Sequence, residues 1–129
     1  RLGASGFVPT AEIGKVGPRF DLIIDTVSAK HDLGAVLSAL KFEGTAVLLG
    51  ASPEPLPVAP FPLIFGRRSL SGSLVGGIPE TQEVLDFCAA KNITADVETV
   101  PIQKVDDAYE RMLKGDVRYR FSIDLASLT

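Results

Sequence analysis

The chain has 129 residues, of which 46% are hydrophobic and 22% charged, with a formal net charge of -3 at pH 7. That balance suits one folded domain with a core and excludes a disordered or fibrous chain. It also argues against a nucleic-acid binder, because arginines scattered among carboxylates build no basic face, and no apolar run reaches membrane-spanning length. The local basic pairs are Arg67 with Arg68 and Arg118 with Arg120. The start lacks the apolar stretch of a secretory leader, so none is expected. With one Cys, Cys88, and one His, His31, an internal disulfide is excluded, which fits a reducing cytoplasm. A structural zinc needs about four Cys or His ligands and a catalytic zinc about three protein ligands, so the usual zinc sites cannot be assembled from this chain.

Arg1-Leu2-Gly3 reads as the last turn of a helix closed by glycine, and predicts that the chain continues something longer. Phe7-Val8-Pro9 is expected to form a brief strand, and Ala11 to Arg19 a polar connection. Phe20 to Val27 is short, β-branched and almost continuously apolar, the pattern of a parallel strand covered on both faces. Asp32 can cap a helix in which Leu33, Val36, Leu37 and Leu40 recur at i, i+3, i+4 and i+7. Gly44 ends the connection and Thr45 to Gly50 is a second buried strand, so the three elements form a βαβ unit.

Ser52 to Pro62 contains five prolines and is expected to be a loop on the rim of the sheet. Leu63-Ile64-Phe65 is read as one helical turn, and Ser69 to Val75 as a third strand. Pro79 opens a helix running to about Lys91, with Val84, Leu85, Phe87 and Cys88 on its buried side. Ala95 to Val100 is a more exposed strand, and Lys104 to Lys114 a helix with Val105, Ala108, Tyr109, Met112 and Leu113 on one stripe. In the final strand Phe121, Ile123 and Leu125 alternate with Arg120, Ser122 and Asp124, which means one wet face. The tail from Ala95 is therefore expected to belong to a different layer, packed on something outside this chain.

Parallel sheets bind ligands beyond the carboxyl ends of their strands. Three such ends, at Asp25 to Ser28, Gly50 to Ser52 and Ser73 to Gly77, carry small or polar residues. Turns alone would explain each; together they suggest a shared cleft for a flat ligand. Gly72 to Gly77 does not fit a phosphate-cradling fingerprint, and Glu80 and Glu83 at the next helix start would repel a phosphate. Without that glycine motif, Asp25 is not assigned as a ribose-binding acid. Ser28, His31 and Asp32 lack the glycine-flanked elbow of a hydrolase, and His31 is expected to be solvated. Cys88 is expected to be inert core, while Asp106, Asp107, Glu110 and Arg111 read as a solvated helix face. Arg120 either pairs with a carboxylate or reaches a phosphate.

The runs Gly72 to Glu83, Leu85 to Cys88, Ala108 to Phe121 and Phe65 to Ser69 resemble zinc-dependent, cinnamyl-alcohol-dehydrogenase-like members of the medium-chain dehydrogenase/reductase superfamily. The resemblance covers essentially the whole chain. It implies an α/β fold, the C-terminal half of a Rossmann-type parallel sheet, followed by a short strand-helix-strand tail of the catalytic domain. Residues 1–94 would be the partial dinucleotide-binding domain and residues 95–129 the return segment. It further implies hydride transfer between NADP(H) and a primary alcohol or aldehyde, with a catalytic zinc. Thr26 and Val27 would lie near the ribose, Gly50, Ala51, Ser73, Leu74 and Val75 would line the nicotinamide end, and Arg120 would reach the pyrophosphate. The strand 69–75 would pair with its copy in a homodimer.

The zinc ligands, proton relay, glycine fingerprint and the residue choosing NADP over NAD lie, in the family, upstream of the matched region and are not in this chain. This polypeptide is therefore expected to be inactive alone and to self-associate through open strand edges. The competing expectation is a non-catalytic nucleotide-binding or dimerisation module derived from a dehydrogenase. A methyltransferase-like domain would require a glycine-rich cofactor turn, which is not seen.

Overall fold

The computed structural model describes residues 3–128 and divides into two compact units, Arg1–Val75 and Gly76–Thr129. Of the expected helix tail, Arg1 and Leu2 lie outside the described residues; Gly3 has a positive φ of 82°.

In the first unit, strand β1 (Phe20–Asp25), helix α1 (Leu33–Ser38) and strand β2 (Leu40–Leu48) form the expected βαβ unit. Helix α2 (Pro60–Gly66) follows, and strand β3 (Ser69–Gly72) completes a parallel sheet in the order β1-β2-β3. Asp32 caps α1, its carboxylate accepting from Ala35 N at 3.0 Å. The register sets Ile23, Ala46 and Leu70 in one row and Asp25, Leu48 and Gly72 in another. Because strand residues two apart share a face, both rows look the same way. Leu33, Val36 and Leu37 of α1 join Leu40 and Ala46 in the core cluster, with Ile23, Leu48, Leu63 and Leu70 packed against it.

The other face of the sheet corrects the expectation that β1 is covered on both sides. Leu22 and Ile24 are 55% and 58% exposed, since no element among the described residues packs over them. Three further differences arise locally. Phe7-Val8-Pro9 forms no strand, for it has no strand to pair with among the described residues; Pro9 instead precedes a 3-10 helix, Thr10–Lys15, within the expected polar connection. Strand β2 begins at Leu40 rather than Thr45. Its register against β1 jumps from Phe20 opposite Leu40 to Leu22 opposite Thr45, so residues 41–44 stand where β1 has Asp21 alone, a bulge turned at Glu43 with φ 60°. The single turn expected at Leu63 to Phe65 is the centre of the longer α2, closed by Arg67 in the left-handed conformation.

In the second unit, helix α3 (Ile78–Ala90) is followed by strand β4 (Glu98–Pro101), helix α4 (Val105–Leu113) and strand β5 (Phe121–Asp124). Strands β4 and β5 pair in parallel, with Glu98 opposite Phe121. Glu80 closes a capping interaction at the start of α3, accepting from Gly77 N at 2.6 Å. The expected buried side of α3 is not buried: Val84, Leu85 and Phe87 are 60%, 59% and 58% exposed. Cys88 is half-buried rather than core. In β5, Phe121 and Ile123 are half-buried and Ser122 and Asp124 exposed, as alternation predicts, whereas Leu125 begins a 3-10 turn. The compact units divide after Val75, and the change of layer read near Ala95 falls inside the second of them.

Candidate functional site

The carboxyl ends of the three strands finish in one row, Asp25, Leu48 and Gly72. The residues just beyond them therefore meet along one rim of the sheet. Asp25 organises this rim. Its backbone carbonyl accepts from Leu49 N at 2.8 Å and Gly50 N at 3.0 Å, stitching the end of β1 to the chain leaving β2. Its carboxylate accepts from Val27 N at 2.9 Å through Oδ1 and meets His31 Nε2 at 2.7 Å through Oδ2. His31 Nδ1 donates to the Ala29 carbonyl at 2.9 Å.

The side chains of His31 and Asp25 are 7% and 4% exposed, so His31 is not the solvated residue its position beside a helix start suggests. A carbonyl only accepts, so Nδ1 carries a proton; an ionised carboxylate likewise only accepts, so Nε2 carries one too. Making both bonds to an ionised Asp25 thus requires imidazolium. The Ala29 hydrogen bond is the main influence raising the His31 pKa above 6.5, with Asp25 and Asp32 adding to it and burial opposing it. The sequence signal for this pair was a carboxylate closing an apolar strand, a residue type seldom buried without a partner.

Gly50 is required by close packing. A Cβ there would lie 2.4 Å from the carbonyl carbon and oxygen of Val27 and 2.7 Å from that of Thr26. The space that a small residue was expected to leave for a ligand is filled by the chain's own backbone. Thr26, Val27 and Ala51 are exposed at the rim, Gly50 half-buried beneath them. Ser73 N donates to the Leu48 carbonyl at 3.1 Å, which keeps the segment Ser73-Leu74-Val75 beside the end of β2. Leu74 and Val75 are 89% and 88% exposed. Seven of the eight residues assigned by resemblance therefore belong to the first unit and lie at or just beyond the carboxyl ends of β1, β2 and β3.

Arg120 belongs to the second unit. It precedes β5, its carbonyl accepts from Glu98 N at 3.0 Å, and it lines an apolar hollow with Tyr109, Met112, Tyr119 and Phe121. Nearby, Arg111 donates to Glu98 at 2.8 Å and Asp116 at 2.9 Å and lies 4.8 Å from the centroid of the Phe121 ring. The Arg111 hydrogen bond is the main cause holding the Glu98 carboxyl below its ordinary range. Arg111 is thus an anchor between elements, not the solvated helix residue expected. Among the described residues no group of three or more His, Cys, Asp or Glu is placed to hold a metal ion, and the donor set does not fit zinc. No helix among them is long and apolar enough to cross a membrane.

The family of zinc-binding dehydrogenases matches residues 2–90. NADP-dependent alcohol dehydrogenase C 1 of Mycolicibacterium smegmatis is 50% identical over 131 residues, 99% of this chain and 38% of that protein. Alcohol dehydrogenase 9 of Catharanthus roseus is 48% identical over 98% of this chain and 36% of its own length. Among solved structures, a cinnamyl alcohol dehydrogenase from Sorghum bicolor superposes with a TM-score of 0.89 at 40% identity, over 97% of this chain and 36% of that one. One from Helicobacter pylori, solved with NADP(H), gives 0.75 at 34% identity over 88% of this chain and 34% of that one. The chain thus spans under two-fifths of the length of these relatives. With its parallel sheet and its match to their C-terminal, Rossmann-like portion, the chain belongs to the zinc-binding dehydrogenase family, within the medium-chain dehydrogenase/reductase superfamily.

Proposed function

We propose that this chain is part of an NADP-dependent alcohol dehydrogenase or aldehyde reductase, and that it supplies part of the cofactor cleft. The observation that carries the reading is the gathering of Thr26, Val27, Gly50, Ala51 and Ser73 at the carboxyl ends of three adjacent parallel strands, where open α/β sheets bind nucleotides. Thr26 and Val27 meet the ribose; Gly50 and Ala51, with Ser73, Leu74 and Val75, form the nicotinamide end. Arg120 contacts the pyrophosphate as a charged donor. The bound nicotinamide supplies the hydride, and the protein orients it.

The zinc of such an enzyme must be held by residues outside this set, so the 129-residue chain alone does no chemistry. Residues 1–94 serve the dinucleotide and residues 95–129 return to the catalytic domain. The edge strand β3, which ends at Gly72 rather than at the expected Val75, pairs with its copy in a homodimer, and the compartment is the cytoplasm. The absence of a metal constellation among the described residues also suits the second reading, a non-catalytic dinucleotide-binding or dimerisation module.

The test is titration of NADPH, followed by nicotinamide fluorescence, into the complete protein carrying these residues and into its Gly50→Ala variant. Binding by the parent, weakened at least about tenfold (about 1.4 kcal/mol) in the variant, supports the cleft. No binding by the parent refutes it. Aldehyde reduction with NADPH by the isolated 129 residues would refute the claim that this chain is inactive alone.

A further inference from the structure

Between β1 and α1 the chain runs from Thr26 to Asp32 with no regular structure. Two of its residues, Thr26 and Val27, stand at the cofactor rim. Irregular segments are held only by what ties them, and here the ties converge on one pair. Asp25 Oδ1 holds the Val27 amide, Asp25 Oδ2 holds His31, and His31 holds the Ala29 carbonyl. The loop is therefore fixed at its second, fourth and sixth positions by a single buried carboxylate–imidazole unit. The Asp25 carbonyl simultaneously fixes Leu49 and Gly50, against which the Thr26–Val27 peptide packs too closely to admit a Cβ. Packing alone does not call for such a pair, since buried ion pairs often add little net stability over apolar residues of the same size. What they do provide is a directional constraint.

We propose that Asp25 and His31 are positioning residues: their buried pair clamps the loop 26–31 in the conformation that presents Thr26 and Val27 to the dinucleotide. This rests on the cofactor reading above. Neither side chain touches the cofactor; both act through the backbone they hold. The charged groups around His31 are Asp25 at the end of β1, Asp32 at the start of α1, and Lys30 in the loop, itself bound to Glu54 of the proline-rich loop at 3.0 Å. Because both ring nitrogens donate, losing either proton releases one of the two ties, to Asp25 or to the Ala29 carbonyl, and loosens the loop. Cofactor affinity accordingly falls as pH rises through the titration of His31.

The test uses the complete protein carrying these residues, with NADPH binding measured by fluorescence from about pH 6 to about pH 9. His31→Ala is expected to weaken binding about tenfold at the low end of that range. His31→Gln, whose amide can still donate to Asp25 but does not titrate there, should recover part of the affinity and flatten the pH profile. Asp25→Asn should accelerate hydrogen exchange at the Val27 amide. Leu37→Val, which loosens the core away from the rim, should leave affinity unchanged and so separates positioning from general loss of stability. A parent that binds no NADPH overturns the cofactor reading and this role with it. A parent that binds, with His31→Gln showing the same affinity and the same pH profile, overturns the positioning role alone.

Discussion

The two units are built on the same plan, a parallel strand pair joined through a helix, yet only the first makes a core. In β1-α1-β2, Leu33, Leu37, Leu40 and Ala46 are all essentially sealed from water. In β4-α4-β5, Ala108 is the only buried apolar residue among those described, while Tyr109, Met112 and Leu113 are 59%, 50% and 84% exposed. Helix α4 has a clear apolar stripe, as α1 does. The difference is that α1 has a three-stranded sheet and α2 to lie against, whereas α4 has a two-stranded one. An apolar stripe becomes a core only where enough surface meets it. The second unit is held instead by directional contacts: Arg111 bridging Glu98 and Asp116, and Ser127 accepting from Ile102 N at 2.9 Å.

The largest expected effect breaks the first unit. Leu37→Ala removes a fully buried side chain and should cost about 2–5 kcal/mol. The loss is read as faster amide exchange at Ala46, with exchange at Ala108 unchanged. An equal change at both amides would show that the two units unfold as one.

A smaller effect sets the units against each other by pH. The His31 pKa is raised in the folded state from 6.5, so its stabilisation is complete below that value and is lost as pH rises through the raised one. The Glu98 pKa is lowered from 4.5, so its stabilisation is complete above 4.5 and is lost as pH falls through the lowered one. Glu98 is partly exposed and its contribution is reduced by solvent screening. Protection from exchange, after correction for the base-catalysed intrinsic rate, should fall at α1 on going alkaline and at β4 on going acid. The same sign in both units would contradict the assignment of the two networks.

The smallest effect sharpens the contrast. Leu85→Ala on α3 should change stability by no more than about 0.5 kcal/mol in urea unfolding, as for a surface substitution. A loss above about 1 kcal/mol would mean that the apolar face of α3 is covered in solution, and the second unit would then resemble the first.

Local chemistry made much of this molecule readable from its residues. Asp32 is placed to cap α1, Pro79 and Glu80 mark the start of α3, and the apolar runs Phe20 to Val27 and Thr45 to Gly50 give a βαβ unit, its strands closing two residues earlier than those runs, because short-range periodicity and capping act within a few residues. Phe7-Val8-Pro9 shows the limit: a strand is defined by its partner, and this segment of β-like composition, with no strand beside it among the described residues, is irregular. The same limit governs β1, whose apolar residues alternate between a covered and a bare face because coverage depends on elements distant in sequence.

At the rim, sequence brought Thr26, Gly50 and Ser73 under suspicion together, since strand ends can be found by counting. It did not show that Gly50 is small for the sake of the Val27 backbone, nor that Asp25 and His31 are each other's partner. Both facts depend on strand register and on the path of a loop, which only the assembled sheet fixes. Pattern along the chain determined which elements form; burial and pairing between distant residues decided which of their side chains matter.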